Sequence, residues 1–235
     1  MTYARIAGIG SFLPEKVVTN KDLEGMMETS DEWIRERTGI KRRHIAGDHE
    51  TTSSISLEAA RRAMEMAGVT ADELDLIVVG TCTPDKVIPS TACIVQRALG
   101  TKGCPALDIN AACSGFVYGL DYANRYIRTG GAKKALVIGA ETLSRITNWE
   151  DRTTAVLFGD GAGAAIVEAS DEPGIQATHI HANGEFEDLL QTTGGVSLGF
   201  DASCDRDRFI TMQGNAVFKR AVATFDSMAR ETIAD

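Results

Sequence analysis

Cysteine is sparse in this sequence, and its spacing matches no metal or disulfide pattern. The 235 residues include five cysteines, and no two of them stand in the C-x-x-C arrangement of a zinc cluster or a dithiol site. Disulfide frameworks use an even number of cysteines at short spacings, so none is indicated here. We therefore expect reduced thiols, no metal site and no cofactor. Cys82 and Cys93 are expected to pack within the fold, and Cys204 to lie in a polar loop.

Positive charge and long apolar runs are also scarce. Acidic residues outnumber basic residues by 33 to 24, and the formal net charge of −9 argues against general affinity for nucleic acid. No stretch approaches the roughly 18 consecutive apolar residues of a membrane span. The first residues show no basic segment followed by a long apolar run. These absences predict a cytoplasmic protein with neither a membrane nor a nucleic-acid partner.

The chain does contain apolar strands that alternate with capped helices. Continuous apolar runs at 75–80, 106–109 and 135–139 predict buried strands of a parallel sheet covered on both faces. Helices are predicted at 51–68 and 90–100, where a threonine or serine begins each helix and a glycine ends it. The pattern is typical of an α/β fold.

One thiol differs from the others in its position. Cys113 follows the strand that begins at Ala106, and it precedes a helix whose apolar face includes Phe116 and Leu120. The first N–H groups of a helix lack partners and the macrodipole is positive there, so a helix start stabilises a thiolate. Its neighbours Ala111, Ala112, Ser114 and Gly115 are small enough to admit a substrate carbonyl. A packing role is the alternative, because free cysteine is among the most buried residue types.

A second cluster combines an aromatic ring with cations. Trp33 and Arg37 are one helical turn apart and share a face of a predicted helix that starts near Thr29. More basic residues follow closely in this acidic protein, namely Lys41, Arg42, Arg43 and His44. An indole beside a guanidinium suits a nucleotide with phosphates, and a solvated helix face is the alternative.

Pro173 and Gly174 mark a boundary between two parts of the chain. Ile175–His181 alternates in polarity like a half-exposed strand, 183–208 is polar and rich in glycine, and an amphipathic helix is predicted from Met212. This order repeats that of residues 3–68, which indicates a duplicated fold. Residues 68–167 then have no counterpart. The sequence is therefore expected to be part of a longer protein, with one half at 1–172 and the start of a second at 173–235.

Several motifs occur together in one order along the chain. They are Thr29-Ser-Asp-Glu-Trp33-Ile-x-x-Arg37-Thr-Gly-Ile, Asp108-Ile-Asn-Ala-Ala-Cys113-Ser-Gly-Phe, Asp151-Arg152-x-Thr, Phe158-Gly-Asp-Gly-Ala-Gly-Ala and Gly214-Asn-x-Val-Phe218-Lys219. With them the whole sequence resembles the 3-oxoacyl-ACP synthase III family of thiolase-like condensing enzymes. The resemblance implies the thiolase-like duplicated α-β-α-β-α layered fold, with the second half incomplete in this chain. It also implies that Cys113 is the acyl-accepting nucleophile.

The activity implied by the resemblance is a ping-pong Claisen condensation that initiates fatty acid biosynthesis. Cys113 takes an acyl group from acyl-CoA, and the carbanion formed by decarboxylation of malonyl-ACP then attacks the thioester. The family's other catalytic groups are a histidine in a His-Gln-Ala-Asn motif and an asparagine in a Gly-Asn-Thr motif, both expected beyond Asp235. Neither motif occurs in the sequence. A homodimer is also implied.

The resemblance carries further roles onto matching residues. For coenzyme A these are Trp33 and Arg152 around the adenine, Arg37 at the phosphates, Thr29 as a neighbour, and Phe218 in the pantetheine channel. For the acyl pocket they are Ile88, in a loop that reaches the partner subunit in the family, together with Leu143 and Phe158. Some family members carry an aromatic residue where this sequence has Ile88, so the chain-length preference stays open. Lys219 and Arg220 are expected to dock the acidic carrier protein, with a solvated face as the alternative.

Three other functions compete with this one. A condensing enzyme or acyltransferase of secondary metabolism would share the fold and the acylated Cys113. A non-catalytic fragment or binding half would hold coenzyme A or a partner chain without turnover. A cysteine hydrolase is disfavoured, because Ala111 occupies the first glycine position of a G-x-C-x-G nucleophile elbow.

Overall fold

The computed structural model describes residues 2–101, 103–199 and 208–234, so the expectation for Cys204 lies outside the described residues. The strands are β1 (Tyr3–Phe12), β2 (Lys16–Thr19), β3 (Arg42–Ile45), β4 (Leu76–Gly80), β5 (Ala106–Ile109), β6 (Lys134–Thr142), β7 (Asp160–Ser170), β8 (Leu190–Thr192) and β9 (Ile210–Met212). The helices are α1 (Asn20–Glu24), α2 (Asp31–Thr38), α3 (Thr52–Ala67), α4 (Thr91–Leu99), α5 (Gly115–Arg128), α6 (Arg152–Ala155) and α7 (Gly214–Ala234). Within the described part of the chain, no helix is long and apolar enough to cross a membrane.

These elements form two compact units, and each unit consists of three separate stretches of chain. The sheet unit comprises Met1–Glu15, Ala46–Thr142 and Asp160–Ile180. The tryptophan unit, which contains Trp33 and Trp149, comprises Lys16–Ile45, Leu143–Gly159 and His181–Asp235. The division into thiolase halves at 172/173 stays a prediction.

The sheet unit is built on five strands in the order β1-β7-β6-β4-β5. β4 pairs in parallel with both β5 and β6, as the apolar runs predicted. β7 is antiparallel to both β6 and β1, so the sheet is mixed, and the parallel arrangement predicted from the sequence holds only for β4, β5 and β6. The reason is that a continuous apolar run reports burial on both faces, which an antiparallel strand inside a covered sheet shares with a parallel one.

Helices cover both faces of this sheet. Successive side chains of a strand point to opposite faces, so Ile77 of β4 packs in the core with α3 and α4, while Val78 packs in the core with α5. The predicted end of α3 is confirmed, because Gly68 ends the helix in a left-handed conformation. The N-cap is Thr51, which accepts a hydrogen bond from the Ser54 N–H, and not the predicted Thr52 one position later. The result is an α-β-α layered unit in which β5 ends four residues before Cys113.

The tryptophan unit has a smaller core. Buried side chains of Val18, Leu23, Ile34 and Val156 form its centre, and Trp33 packs against them. The antiparallel pair of β2 and β3 in this unit was not predicted, since its two strands are short and 22 residues lie between Thr19 and Arg42 in the sequence.

The strand expected at Ile175–His181 is absent, and this prediction is wrong. The segment has no ladder partner, although the Ile175 N–H donates to the Ala4 carbonyl oxygen at 2.7 Å. Alternating polarity requires only that one side of an extended segment be covered, which a single contact with a neighbouring strand satisfies. The internal repeat inferred from the sequence therefore loses one of its three elements.

Candidate active site

Cys113 is exposed and sits in a single 3-10 turn, Ala112–Ser114, between β5 and α5. Ala112 has φ of 44°, and it is the one non-glycine residue with positive φ among the described residues. A left-handed backbone costs a residue with a Cβ roughly 1–2 kcal/mol, and such strain clusters at functional sites. The side chain of Ser114 makes no capping hydrogen bond to α5. The first turn of the helix is therefore not capped by Ser114, as an oxyanion site at Cys113 requires.

Glycines fix the position of this turn against the sheet. A Cβ on Gly80, the last residue of β4, would lie 2.5 Å from the Gly115 carbonyl carbon and 2.9 Å from the Phe116 nitrogen. The Thr81 N–H donates to the Ile109 carbonyl oxygen at 3.1 Å, which joins the ends of β4 and β5. The backbone that carries Cys113 is thus in direct contact with the end of β4.

Glu141 organises the residues that follow β4. Its carboxylate accepts hydrogen bonds from the Cys82 N–H at 2.8 Å, the Cys82 thiol at 3.4 Å and the hydroxyls of Thr81 and Thr83. Burial, followed by the negative charge and hydrogen bond of Glu141, raises the pKa of Cys82 to about 12. Cys82 is therefore an unreactive thiol, in agreement with the packing role predicted for it.

Sequence analysis missed Glu141. The available signal was a carboxylate at the end of a buried apolar strand, beside a Thr-Cys-Thr sequence at the end of another strand. Parallel neighbours such as β4 and β6 end at the same edge of a sheet, so these groups had to meet.

The loop that carries Ile88 is anchored on both sides of its tip. Asp85 accepts hydrogen bonds from the Ser53 N–H and hydroxyl, while Asp108 accepts from the N–H groups of Thr91 and Ala92. The side chain of Ile88 is 83% exposed between these anchors. The structure thus places the residue predicted for the acyl pocket on an exposed apolar tip of the sheet unit.

In the tryptophan unit, three of the predicted coenzyme A residues come together. The Arg37 guanidinium lies 4.5 Å and the Arg152 guanidinium 5.2 Å from the Trp33 ring centroid. Arg152 also donates to the Glu28 carbonyl oxygen at 2.9 Å. The hydroxyl of Thr29, the next residue, is buried and has no hydrogen-bond partner among the described residues. An aromatic face with two cations and an unsatisfied hydroxyl is suited to an anionic nucleotide.

The other predicted residues do not gather at this ring. Phe218, on α7, is 70% exposed, and Lys219 beside it is exposed. Arg220 stacks on Phe186, with 3.9 Å from its guanidinium carbon to the ring centroid. Leu143 and Phe158 are half-buried and stand near opposite ends of the stretch 143–159. The roles assigned to these residues stay predictions.

Thiolase-like condensing enzymes have a layered α/β fold with an exposed cysteine between a strand of the central sheet and a helix. The sheet unit and Cys113 have this arrangement. The sequence model of the family described as 3-oxoacyl-[acyl-carrier-protein (ACP)] synthase III matches residues 107–184. The β-ketoacyl-[acyl-carrier-protein] synthase III of Thioalkalivibrio sulfidiphilus is 58% identical over 233 residues, which span 99% of this chain and 72% of that relative.

Solved structures agree with this comparison. The 3-oxoacyl-[acyl-carrier-protein] synthase III from Aquifex aeolicus superposes with a TM-score of 0.89 at 48% identity, over 97% of this chain and 70% of that one. The priming β-ketosynthase of the R1128 polyketide biosynthetic pathway gives a TM-score of 0.91 at 35% identity, over 97% and 69%. The chain belongs to the 3-oxoacyl-ACP synthase III family, whose members are condensing enzymes of the acyltransferase type. The predicted family, the thiolase-like α/β fold and the enzyme class are confirmed, while the incomplete second half stays a prediction.

Proposed function

We propose that Cys113 accepts an acyl group from acyl-CoA and passes it to malonyl-ACP in the first condensation of fatty acid biosynthesis. The observation that carries this proposal is the exposed Cys113 in a strained turn at a helix start that Ser114 does not cap. Its neighbour Cys82 is protonated and held by Glu141, so the two thiols are chemically distinct.

The first half-reaction is a transfer of the acyl group between two sulfur atoms. The Cys113 thiolate attacks the thioester carbonyl carbon, and the negative charge that develops on oxygen is stabilised by backbone N–H donors at the start of α5. The carbon–sulfur bond to coenzyme A then breaks, and the departing thiolate takes a proton. In the second half-reaction malonyl-ACP loses CO2, its carbanion forms a carbon–carbon bond to the acyl carbon, and Cys113 leaves as a thiolate.

The adenine end of coenzyme A is proposed to bind at Trp33. A base held between the indole and the Arg152 guanidinium needs two van der Waals contacts, or about 7 Å between the outer layers. Arg152 lies 5.2 Å from the ring centroid, so we expect it to move away from Trp33 when the adenine enters. Arg37 would remain beside the ring to bind phosphate, and the Thr29 hydroxyl would gain its missing partner.

The remaining assignments are also part of the proposal. Ile88, Leu143 and Phe158 would contribute to the acyl pocket, Phe218 would line the pantetheine channel, and Lys219 and Arg220 would meet the acidic carrier protein. We further propose a homodimer in the cytoplasm that needs no metal or other cofactor. Light scattering of the purified chain tests the dimer, and activity after treatment with a chelator tests the metal requirement.

Intact-mass spectrometry tests the central proposal. We expect incubation with acetyl-CoA to add one acetyl group to the chain and Cys113→Ala to abolish that addition. Longer acyl-CoAs in the same assay rank the chain lengths accepted, and malonyl-ACP added afterwards should remove the acyl group and yield 3-oxoacyl-ACP. A folded protein that no acyl-CoA modifies would refute the proposal.

A second candidate function is the priming of polyketide synthesis. The R1128 priming ketosynthase shares the fold with a TM-score of 0.91 at 35% identity, so the fold supports this function as well. The acceptor distinguishes the two functions. Transfer from acylated Cys113 to a malonylated polyketide carrier, without transfer to a malonylated fatty acid carrier, would select the second.

A further inference from the structure

Arg43 is a buried cation whose hydrogen-bond partners in the described part of the chain are all neutral. It lies on β3 with 6% of its surface exposed, and among the described residues it makes no ion pair. Its guanidinium donates instead to the carbonyl oxygens of Val18 at 3.3 Å and Val156 at 3.0 Å and to the Asn20 side-chain oxygen at 3.0 Å. Burial lowers the pKa of Arg43. Burying a charge costs desolvation energy that an apolar residue would not cost, which favours a role of Arg43 other than packing.

The three acceptors belong to different parts of the tryptophan unit. Val156 directly follows α6, the helix that begins with Arg152. Asn20 is 1% exposed, and its amide donates to the Asp31 carboxylate at 2.8 Å and to the Ile40 carbonyl oxygen at 2.7 Å. Asp31 is the first residue of α2, two positions before Trp33. One hydrogen-bonded chain, Val156–Arg43–Asn20–Asp31, therefore connects the helix of Arg152 to the helix of Trp33.

This chain has the geometry of a positioning device. Arg43 can reach three oxygens because its planar guanidinium presents five donors, whereas a lysine ammonium at the end of a flexible stem does not fix three acceptors at once. Asn20 is suited to the second position because its amide accepts on one atom and donates from the other. Neither residue stacks on Trp33, so neither is expected to touch the ligand.

We propose that Arg43 and Asn20 are positioning residues that fix the helix of Trp33 relative to the helix of Arg152, so that only the Arg152 side chain has to move when the adenine end of coenzyme A enters. This inference rests on the proposed function of Trp33. It assigns to the buried cation a role in substrate recognition in addition to its packing.

Two acyl donors separate this role from a purely structural one. Acyl-CoA carries the adenosine portion, and the acyl thioester of N-acetylcysteamine lacks it. Asn20→Asp keeps the acceptor for Arg43 but replaces the amide donor with a carboxylate that faces Asp31. We expect this variant to need about tenfold more acyl-CoA for half-maximal acylation of Cys113, with the maximal rate within about twofold. Acylation by the N-acetylcysteamine thioester should be unchanged.

Matched variants complete the experiment. Asp31→Asn retains an oxygen that accepts from Asn20 and should behave like the wild type, while Arg43→Lys keeps the charge and should reproduce the Asn20→Asp defect. If Asn20→Asp does not fold, Arg43→Lys alone decides the question. Equal losses with both donors would overturn the inference and leave a structural role.

Trp33→Ala identifies a failure of the underlying proposal. If this variant loses acyl-CoA and N-acetylcysteamine acylation equally, Trp33 does not bind the adenine and the proposed function of the ring is wrong. If Trp33→Ala discriminates between the donors while Asn20→Asp and Arg43→Lys do not, only the inference about positioning is wrong.

Discussion

Cys113 and Cys82 show how the surroundings of a thiol decide its chemistry. Cys113 is exposed in a turn whose neighbours are small, whereas Cys82 is partly buried and donates its hydrogen to a carboxylate. Burial and Glu141 together raise the pKa of Cys82 to about 12. Below that pH Cys82 stays protonated, and only the thiolate form of a cysteine attacks an electrophile.

Alkylation tests this difference between the thiols. With iodoacetamide at pH 7.5, we expect Cys113 to be modified and Cys82 to remain intact, because burial and Glu141 keep the pKa of Cys82 far above that pH. Glu141→Gln removes the charge and should allow Cys82 to react at a lower pH, since burial alone then opposes ionisation. Peptide mass spectrometry in a Cys113→Ala background measures this shift. Rapid labelling of Cys82 in the protein with native Glu141 would contradict the assignment.

At the scale of single elements, the contact between β4 and α5 sets the position of the active-site turn. Gly80 and Gly115 are in backbone contact, and a methyl group at Gly80 would meet backbone atoms of Gly115 and Phe116 rather than a movable side chain. Any added volume must therefore displace the start of α5, which follows Cys113 by two residues.

Gly80→Ala is expected to destabilise the protein by about 1–3 kcal/mol, the usual cost of overpacking, and to slow acylation of Cys113. Gly163→Ala is a matched control in β7, because a Cβ there meets no atom within 4 Å. Urea unfolding and intact-mass acylation of both variants provide the measurements. Equal stability of the two alanine variants would show that the helix start can move without cost.

The bounds of a helix can be predicted from the sequence when the residues that cap its ends are adjacent to it in the chain. The bounds of α3 and α4 could be predicted because Thr51 and Ser90 cap their N-termini and Gly68 and Gly100 end them. Pairings between distant residues leave no such signal. The β2–β3 pair, the carboxylate of Glu141 between two strand ends and the chain from Arg43 to Val156 each depend on contacts that only the folded chain creates.

The candidate site divides in the same way. Cys113 could be predicted from its place between a strand and a helix, and Trp33 and Arg37 from their helical spacing. The left-handed backbone at Ala112 could not, because alanine carries no preference for that conformation. The pairing of Arg152 with Trp33 could be predicted only from the family resemblance, since 118 residues lie between the two positions in the sequence.

At the scale of the whole molecule, the two units are interleaved along the sequence. The sheet unit receives its last strand, β7, after the chain has passed through the stretch Leu143–Gly159 of the tryptophan unit. β7 lies between β1 and β6 in the sheet, so it provides the backbone hydrogen-bond partners for the facing edges of both strands.

Truncation tests the importance of this late strand. A chain that ends at residue 159 lacks β7 and should expose the edges of β1 and β6, so we expect no cooperative unfolding transition and rapid cleavage by thermolysin. A chain that ends at residue 180 contains every stretch of the sheet unit and should retain a resistant core. Similar protease sensitivity of the two chains would contradict this role for β7.

The sheet order also has a consequence during synthesis on the ribosome. β1 ends at Phe12, and its neighbour in the sheet, β7, begins at Asp160. At about 5–20 residues per second, translation leaves the first strand without its partner for roughly ten seconds or longer. Throughout that interval the apolar side chains of β1, among them Ala4, which is buried in the folded protein, are available to any chaperone that binds nascent chains.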